Sequence, residues 1–531
     1  MRFLPVNLDA VLVELDDLSQ TLSLLASLRV QPIAGVGEIV PAARTLLVNF
    51  RPAAIPRAEL IERIGGRSLD ARVEQAGERI EIPVTYDGED LEDVARLLGI
   101  SAQEVIRRHT GSDYTVAFTG FAPGFAYLTG GHPSFDLPRR ATPRTRIPAG
   151  AVGLAGTFSG VYPQASPGGW QIIGVTATPM WDLSRERPAL LQPGQRVRFV
   201  DAGARAVAVP AVAPAESTPA FGPTEGAHAL EVRQTGLQAL FQDPGRHGQA
   251  GQGVSASGAM DRASLRAANR LVGNPADAAC IEAVYGGFQL VCRGEAVVAV
   301  TGAEAPLDLI AVNGARWPVP RHAPVAMTHG DTLVFGEPRA GIRSYIAVRG
   351  GFAVAPVLGS CATDTLANIG PRPIVAGDVL PIRPAPVGAV VGEPELPRND
   401  LPTLGAVVTL DVVMGPRTDW FTPEAVERFA RQTWTVTPQS NRVGVRLAGD
   451  EPLVRTEAMA RAELPSEGTA LGALQVPPNG QPVLFMADHP LTGGYPVIAT
   501  VATYHLDRAG QLPVGARIRF RPIAAFEAVP R

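Results

Sequence analysis

The densest run of chemically useful residues lies between Phe118 and Thr176. It opens Phe118-Thr119-Gly120-Phe121-Ala122-Pro123-Gly124-Phe125-Ala126-Tyr127, continues through Pro138-Arg139-Arg140 to Arg144-Thr145-Arg146, and ends Ser166-Pro167-Gly168-Gly169-Trp170. Glycines beside aromatics let the backbone come close to a planar ligand. Successive amides in a Gly-Gly turn can form a nest for an anion. Four arginines within eight residues offer forked donors for carboxylate or phosphate, with Arg139 and Arg144 the candidates. A Pro/Gly-rich turn region with solvated arginines is the plain alternative. Tyr127 and Trp170 could stack on a ring or simply pack.

A second set lies far along the chain. Ser440-Asn441-Arg442 leads to Arg446, and Thr492-Gly493-Gly494-Tyr495 repeats the glycine–aromatic theme. Arg442 and Arg446 are candidates for phosphate or carboxylate, with Arg442 expected to be catalytic. Replacing it by alanine is expected to abolish turnover and leave the fold intact. Asp243 and Asp261 could act as acid, base or Mg²⁺ ligand, although Asp243 before Pro244-Gly245 is also a good turn former. His489 adjoins Asp488 and the second Gly-Gly loop; like His247 and His329 it has no partner at metal-ligand spacing. Ser166 and Ser440 lack a nearby histidine, so covalent catalysis is not expected.

These residues need a β scaffold. Short apolar stretches such as Val297–Val300 and Val483–Met486 are separated by turn residues, as in sandwiches and barrels. Helical spacing is confined to 17–29, 56–64, 89–98, 102–109 (Ser101 placed to cap it), 263–271 and 423–432. The first 80 residues alternate strand and helix, which suits a small α+β domain. Ala/Pro-rich stretches at 202–228 and 383–402 read as linkers. The expected division is 1–82 (α+β), 83–210 (β-barrel), 211–227 (linker), 228–395 and 396–531 (both β-rich). Ser166–Gly174 echoes Thr492–Ala499, and each is followed by a matching strand, Gly194–Phe199 and Gly515–Phe520. Two related β-domains are therefore expected.

Composition removes several classes. The 531 residues include no lysine, so Walker A, Schiff-base and biotinyl lysines and a Ser-Ser-Lys amidase triad are all excluded. The net charge of -4 gives no field for nucleic acid or an anionic membrane. No apolar run approaches membrane-spanning length and the N-terminus does not read as a secretory signal, so a cytoplasmic location is expected. Cys280, Cys292 and Cys361 fit neither a disulfide framework nor a zinc site, and read as buried thiols.

The Phe118–Trp170 strings resemble the B component of 5-oxoprolinase, a family also labelled allophanate hydrolase subunit 1, over about residues 5–205. Gln242-Asp243-Pro244-Gly245-Arg246, Ser257-Gly258-Ala259-Met260-Asp261, Ser440–Leu447 and Gly493-Gly494-Tyr495-Pro496 resemble the C component of 5-oxoprolinase over about 228–525. The same two families are fused in the carboxyltransferase domain of urea carboxylases. Two departures stand out: Cys361 where Arg often follows Gly-Ser, and Pro490-Leu491 where a polar Gln-Thr pair is usual.

The resemblance implies a mainly β fold, with cyclophilin-like β-barrel domains in both halves behind the small α+β domain. It implies a fused B and C component of an ATP-dependent 5-oxoprolinase. With Mg²⁺, such a component activates the lactam of 5-oxo-L-proline, by phosphorylation, for hydrolysis to L-glutamate with the separate A component of the enzyme. Pro123, Gly124, Phe125, Tyr127, Arg139, Arg144, Ser166, Gly168, Gly169, Trp170, Ser440, Asn441, Arg446, Thr492, Gly493, Gly494 and Tyr495 are the expected substrate- and ATP-binding set. Two rivals are a carboxyltransferase acting on urea or a related amide, with carboxybiotin delivered by another protein, and a non-catalytic histidine-kinase regulator. An autonomous allophanate hydrolase is disfavoured by the missing lysine. Homo-oligomerisation is left open.

Overall fold

The computed structural model describes residues 1–69, 79–140, 142, 144–203 and 228–530. The expected linker 211–227 lies outside the described residues.

The chain is mainly β, with β-barrel sheets in both halves. At the N-terminus, strands Arg2–Asn7 and Ala10–Glu14 form a hairpin, and Thr45–Phe50 and Val36–Pro41 extend it. Helix Leu18–Val30 covers this sheet and closes its core through Leu24 and Leu28 against Phe3, Val11 and Leu46. Its first turn is capped by Asp17, whose carboxylate accepts from the Gln20 amide at 2.9 Å. The chain's other end returns here: Val529–Pro530 adds a strand beside Arg2–Phe3.

The second sheet has seven strands, in the order Gln171–Val175, Ala151–Ala155, Phe158–Val161, Ala126–Thr129, Tyr114–Thr119, Arg196–Asp201 and Ile80–Val84. Ile80–Val84 pairs in parallel with Arg196–Asp201, so the boundary expected after residue 82 runs through a strand of this sheet. Helices Leu91–Leu98 and Ala102–Gly111 pack on it, the latter capped by Ser101.

From Ala229, a six-stranded and a five-stranded sheet enclose a core that includes Leu230, Phe241, Phe288, Val300, Leu333 and Ile346. Helix Arg262–Leu271 packs on the five-stranded sheet. The final part of the chain builds a closed seven-stranded barrel from Val407–Met414 to Arg517–Pro522, filled by Leu410, Trp434, Leu474, Ile498 and Phe520. Helix Pro423–Arg431 stacks Phe429 on Phe520, ring centroids 4.7 Å apart.

The echo in the sequence corresponds to an echo in topology. Arg196–Asp201 lies between a parallel partner, Ile80–Val84, and an antiparallel one, Tyr114–Thr119. Arg517–Pro522 likewise lies between parallel Val407–Met414 and antiparallel Trp434–Val436. In both halves the residues at the Gly-Gly loop form a two-stranded ribbon: Ser166–Gly168 pairs with Arg144–Ile147, and Thr492–Gly493 with Glu467–Gly468. No helix among the described residues is long and apolar enough to cross a membrane.

Candidate functional site at the junction of the two halves

The signature loops of the two halves meet. The Phe121 amide donates to Thr492 Oγ1 at 3.0 Å. Gly120 is packed so tightly on Thr492 that an added Cβ would lie 2.6 Å from Oγ1. Phe121 itself is held at φ 64°, a conformation that costs energy for a non-glycine residue. Gly124, at φ 77°, donates its amide to the Gln252 carbonyl at 2.9 Å, and Thr119 Oγ1 donates to Ala250 O at 3.1 Å. The Phe121–Gly124 turn, with buried Pro123 at its centre, is thus clamped between two segments of the second half.

Arg139 links the Gly-Gly loops. The Arg140 amide donates to Gly169 O at 2.8 Å, which fixes this segment beside the first loop. The Arg139 guanidinium then reaches the second: Nη1 lies 2.8 Å from where a Cβ on Gly494 would be, and Nη2 lies 3.5 Å from Ser466 Oγ. Ser466 Oγ is in turn 3.4 Å from the Tyr127 hydroxyl. Arg139 makes no ion pair with a carboxylate among the described residues, so its charge is available to an anionic ligand. Ser466 carries no signal in the sequence.

The aromatics beneath the loops are core. Phe125, Tyr127, Tyr162 and Trp170 pack edge-to-face at 5.1–6.5 Å. Burial pushes the Tyr162 hydroxyl far above its ordinary value. Gly168 is required there, because a Cβ would meet the Tyr162 hydroxyl at 2.4 Å. Tyr495, by contrast, is exposed. Ser166 Oγ is 3.4 Å from Gln164 O.

The remaining candidates lie elsewhere. Arg144 is tied to Asp90 by two hydrogen bonds of 2.8 Å, and to Glu89 at 3.0 Å. Burial opposes charge on Asp90, but hydrogen bonds from Arg144 and the Ile172 amide outweigh it and lower the carboxyl pKa. In the sequence Asp90 reads only as a residue at a helix start.

Arg442, expected to contact a ligand, has every guanidinium nitrogen engaged inside the protein. Nε and Nη2 donate to Asp488 at 3.0 Å each, Nη1 to Glu282 at 2.5 Å and Nη2 to Gly258 O at 2.6 Å. Ser440 and Asn441 shape the turn before it: Ser440 Oγ accepts from the Arg446 amide, and Asn441 Oδ1 from the Val443 and Gly444 amides. The Arg446 side chain is exposed on its barrel strand.

Asp261 caps helix Arg262–Leu271, accepting from the Ser264 amide and hydroxyl and from Gln511. Burial raises its pKa. Asp243 takes the turn-forming alternative, accepting from the Gly245 amide (2.8 Å), Ser360 Oγ (2.6 Å) and the Cys361 amide (2.6 Å). Among the described residues no group of three or more His, Cys, Asp or Glu is arranged to hold a metal. The structure therefore brings together the Phe121–Gly124 turn, Tyr127, Arg139, the Gly168–Gly169 segment and Thr492–Gly494; Arg144 pairs with Gly168 through its backbone but turns its side chain to Asp90, and Arg442, Asp243 and Asp261 lie outside that junction.

The model of the carboxyltransferase domain, subdomains A and B, matches residues 252–522, and that of subdomains C and D matches residues 1–191. The chain belongs to the carboxyltransferase-domain family. Its relatives are components of enzymes. It is 37% identical to the C component of 5-oxoprolinase from Escherichia coli over 310 residues, covering 56% of this chain and 93% of that one. It is 37% identical to the B component of 5-oxoprolinase from Haemophilus influenzae over 211 residues, covering 38% and 99%. Urea amidolyase of Saccharomyces cerevisiae is 34% identical over 311 residues, but the match reaches only 17% of that protein. The solved structure of TTHA0988 superposes with a TM-score of 0.81 at 34% identity, covering 96% of this carboxyltransferase-domain chain and 99% of the other. The two family-model matches fall on the two halves whose signature loops meet at Phe121 and Thr492, and with the relatives this is consistent with a fusion of the B and C components.

Proposed function

We propose that this chain is the fused B and C component of a 5-oxoprolinase, which activates the lactam of 5-oxo-L-proline for ring opening to L-glutamate with a separate A component. The observation that carries this reading is the seam itself. Loops similar to those of the B and C components share a hydrogen bond, and an arginine without a carboxylate partner spans them. Arg139 would take a carboxylate or phosphate oxygen, and the missing side chain of Gly494 gives its guanidinium room between the loops. ATP with Mg²⁺ would supply the phosphoryl group that turns the lactam oxygen into a leaving group. Mg²⁺ would be held chiefly by phosphates and water. Arg139 would neutralise charge and orient the ligand, which is most of what phosphoryl transfer asks of a protein.

The test is reconstitution. The chain, a homologue of the 5-oxoprolinase A component, ATP, Mg²⁺ and 5-oxo-L-proline should yield L-glutamate and ADP in step; no glutamate in the complete mixture would refute the reading. The similarity to urea amidolyase favours a second reading, carboxyl transfer to urea or a related amide. With no lysine of its own to biotinylate, the chain would then have to co-purify with a biotinylated protein detectable by avidin blotting.

A further inference from the structure

A separate cavity of about 280 Å³ opens between the N-terminal sheet and the final barrel. Six charged residues line it. Arg2 pairs with Glu14 at 2.7 Å and with Asp419 at 3.3 Å. Arg417 pairs with Glu14 at 2.7 Å and is hydrogen-bonded to Glu467. In this group three carboxylates face two guanidinium groups, which leaves one negative charge over. The sixth residue, Arg44, donates Nε to Leu15 O at 3.3 Å and has no carboxylate partner among the described residues. Its neighbour Thr45, also in the wall, has a buried hydroxyl with no hydrogen-bond partner among the described residues. Trp420, Met459 and Leu464 supply the apolar part of the lining.

The cavity thus sets Arg44, a solvent-exposed cation without a carboxylate partner among the described residues, opposite a paired group with one carboxylate more than it has guanidinium groups, beside an apolar wall. A cavity of about 280 Å³ has room for a metabolite of amino-acid size. We infer that this cavity binds an α-amino acid zwitterion, its carboxylate on Arg44, its ammonium toward the Glu14–Asp419–Glu467 carboxylates and its side chain along Trp420 and Met459. The cavity adjoins the Arg139 seam, because Ser466 borders both and Glu467 pairs with Gly493, but Arg139 does not line it. The inference stands whatever reaction the seam serves.

Calorimetric titration of the full chain with L-leucine, L-glutamine and L-glutamate tests it. 4-Methylpentanoate and 3-methylbutylamine, which are leucine without its ammonium and without its carboxylate, serve as controls. At least one amino acid should saturate, and each single-charge analogue of leucine should bind at least tenfold more weakly than leucine. Arg44→Ala should weaken binding about tenfold to a hundredfold. Met459→Trp, which fills the cavity, should abolish binding while far-ultraviolet circular dichroism stays unchanged. Three results would overturn the inference: no saturable binding of any of the three amino acids, analogues binding as tightly as leucine, or affinity unchanged in both variants.

Discussion

Replacing Arg442 by methionine should cost the fold before it costs any chemistry. The substitution keeps most of the side chain's bulk but takes a guanidinium from Asp488 and Glu282, both fully buried, and leaves Glu282 only Arg343 at 3.5 Å as a charged partner. Removing one partner of a buried pair costs about 3–5 kcal/mol. Here the lower end applies, because each carboxylate keeps other donors. Asp488 retains Ser257 Oγ at 2.6 Å and the Thr365 amide and hydroxyl at 2.9 and 2.7 Å. Glu282 retains the Tyr345 hydroxyl at 2.6 Å and the Met260 amide at 3.0 Å. A loss of about 3 kcal/mol is a sizeable fraction of a typical domain's stability.

The loss should also depend on pH. In the native protein burial opposes charge on Asp488, but Arg442 outweighs it and lowers the carboxyl pKa. That contribution is present above the unfolded value near ~3.9 and is lost as pH falls through the lower folded value. Without Arg442, burial is opposed only by the hydrogen bonds from Ser257 and Thr365, so the carboxyl pKa rises and the variant is penalised most at neutral pH and less as the carboxyl takes a proton. The gap between native and variant urea midpoints, followed by fluorescence of the buried Trp434 in the barrel core, should therefore be widest near about pH 7.5 and narrow toward about pH 5. Asn at 488 in the Arg442→Met background should recover part of the loss. A gap below about 1 kcal/mol, or one equal at both pH values, would refute this reading of the network.

Two further outcomes follow from other sites. His109 is buried against Phe199, with the Tyr86 hydroxyl and Ser159 Oγ on its ring nitrogens, and burial pushes its pKa down to about 3. The unfolded chain takes up that proton near ~6.5, so the unfolded state binds more protons below that pH and stability falls on acidification by ~1.4 kcal/mol per unit; thermal scans should show a slope for the N-terminal half that His109→Phe flattens. Gly494→Ala places a Cβ 2.8 Å from Arg139 Nη1, the movable end of a flexible side chain, so melting should shift little while reconstituted turnover drops as in Arg139→Ala; full activity with the guanidinium displaced would remove Arg139 from the seam's chemistry.

The helices and the duplicated barrel topology were legible because their signals are local. Ser101 was readable as the cap of the helix that follows it, and the structure adds Asp17 and Thr422 as caps of the helices whose apolar spacing marked 17–29 and 423–432. The two Gly-Gly segments and their following strands repeat within one chain, and repetition needs no knowledge of contacts. What was hidden is long-range partnership. Nothing near Arg139 announces Ser466, which is 327 residues away, and Arg442 finds Glu282 and Asp488 at separations of 160 and 46. A motif arginine looks the same whether it faces a ligand or a buried carboxylate; only the fold decides. Trp170 and Tyr127 were ambiguous for the same reason, and the fold assigns them to the core.

The departures from the pattern of the 5-oxoprolinase C component bear on what the seam can recognise. Leu491 does not face Arg139. It is buried with Leu4, Val6, Val40, Leu47 and Ala250, where the N-terminal sheet meets the second half. The Pro490 and Leu491 carbonyls are both taken by Thr469, through its hydroxyl and its amide. An apolar pair in place of Gln-Thr therefore extends the packing between halves without emptying the junction of polar groups. The next residue, Thr492, holds the Phe121 amide, and Gly494 lies against Arg139. Cys361 departs in a similar way. Its amide serves Asp243, its thiol lies 3.7 Å from Val354 O, and its half-buried side chain packs on the core of the two-sheet domain. Both residues are thus taken up by packing and backbone hydrogen bonds. Neither departure therefore removes Arg139 or the hydrogen bond between Phe121 and Thr492 that joins the two halves.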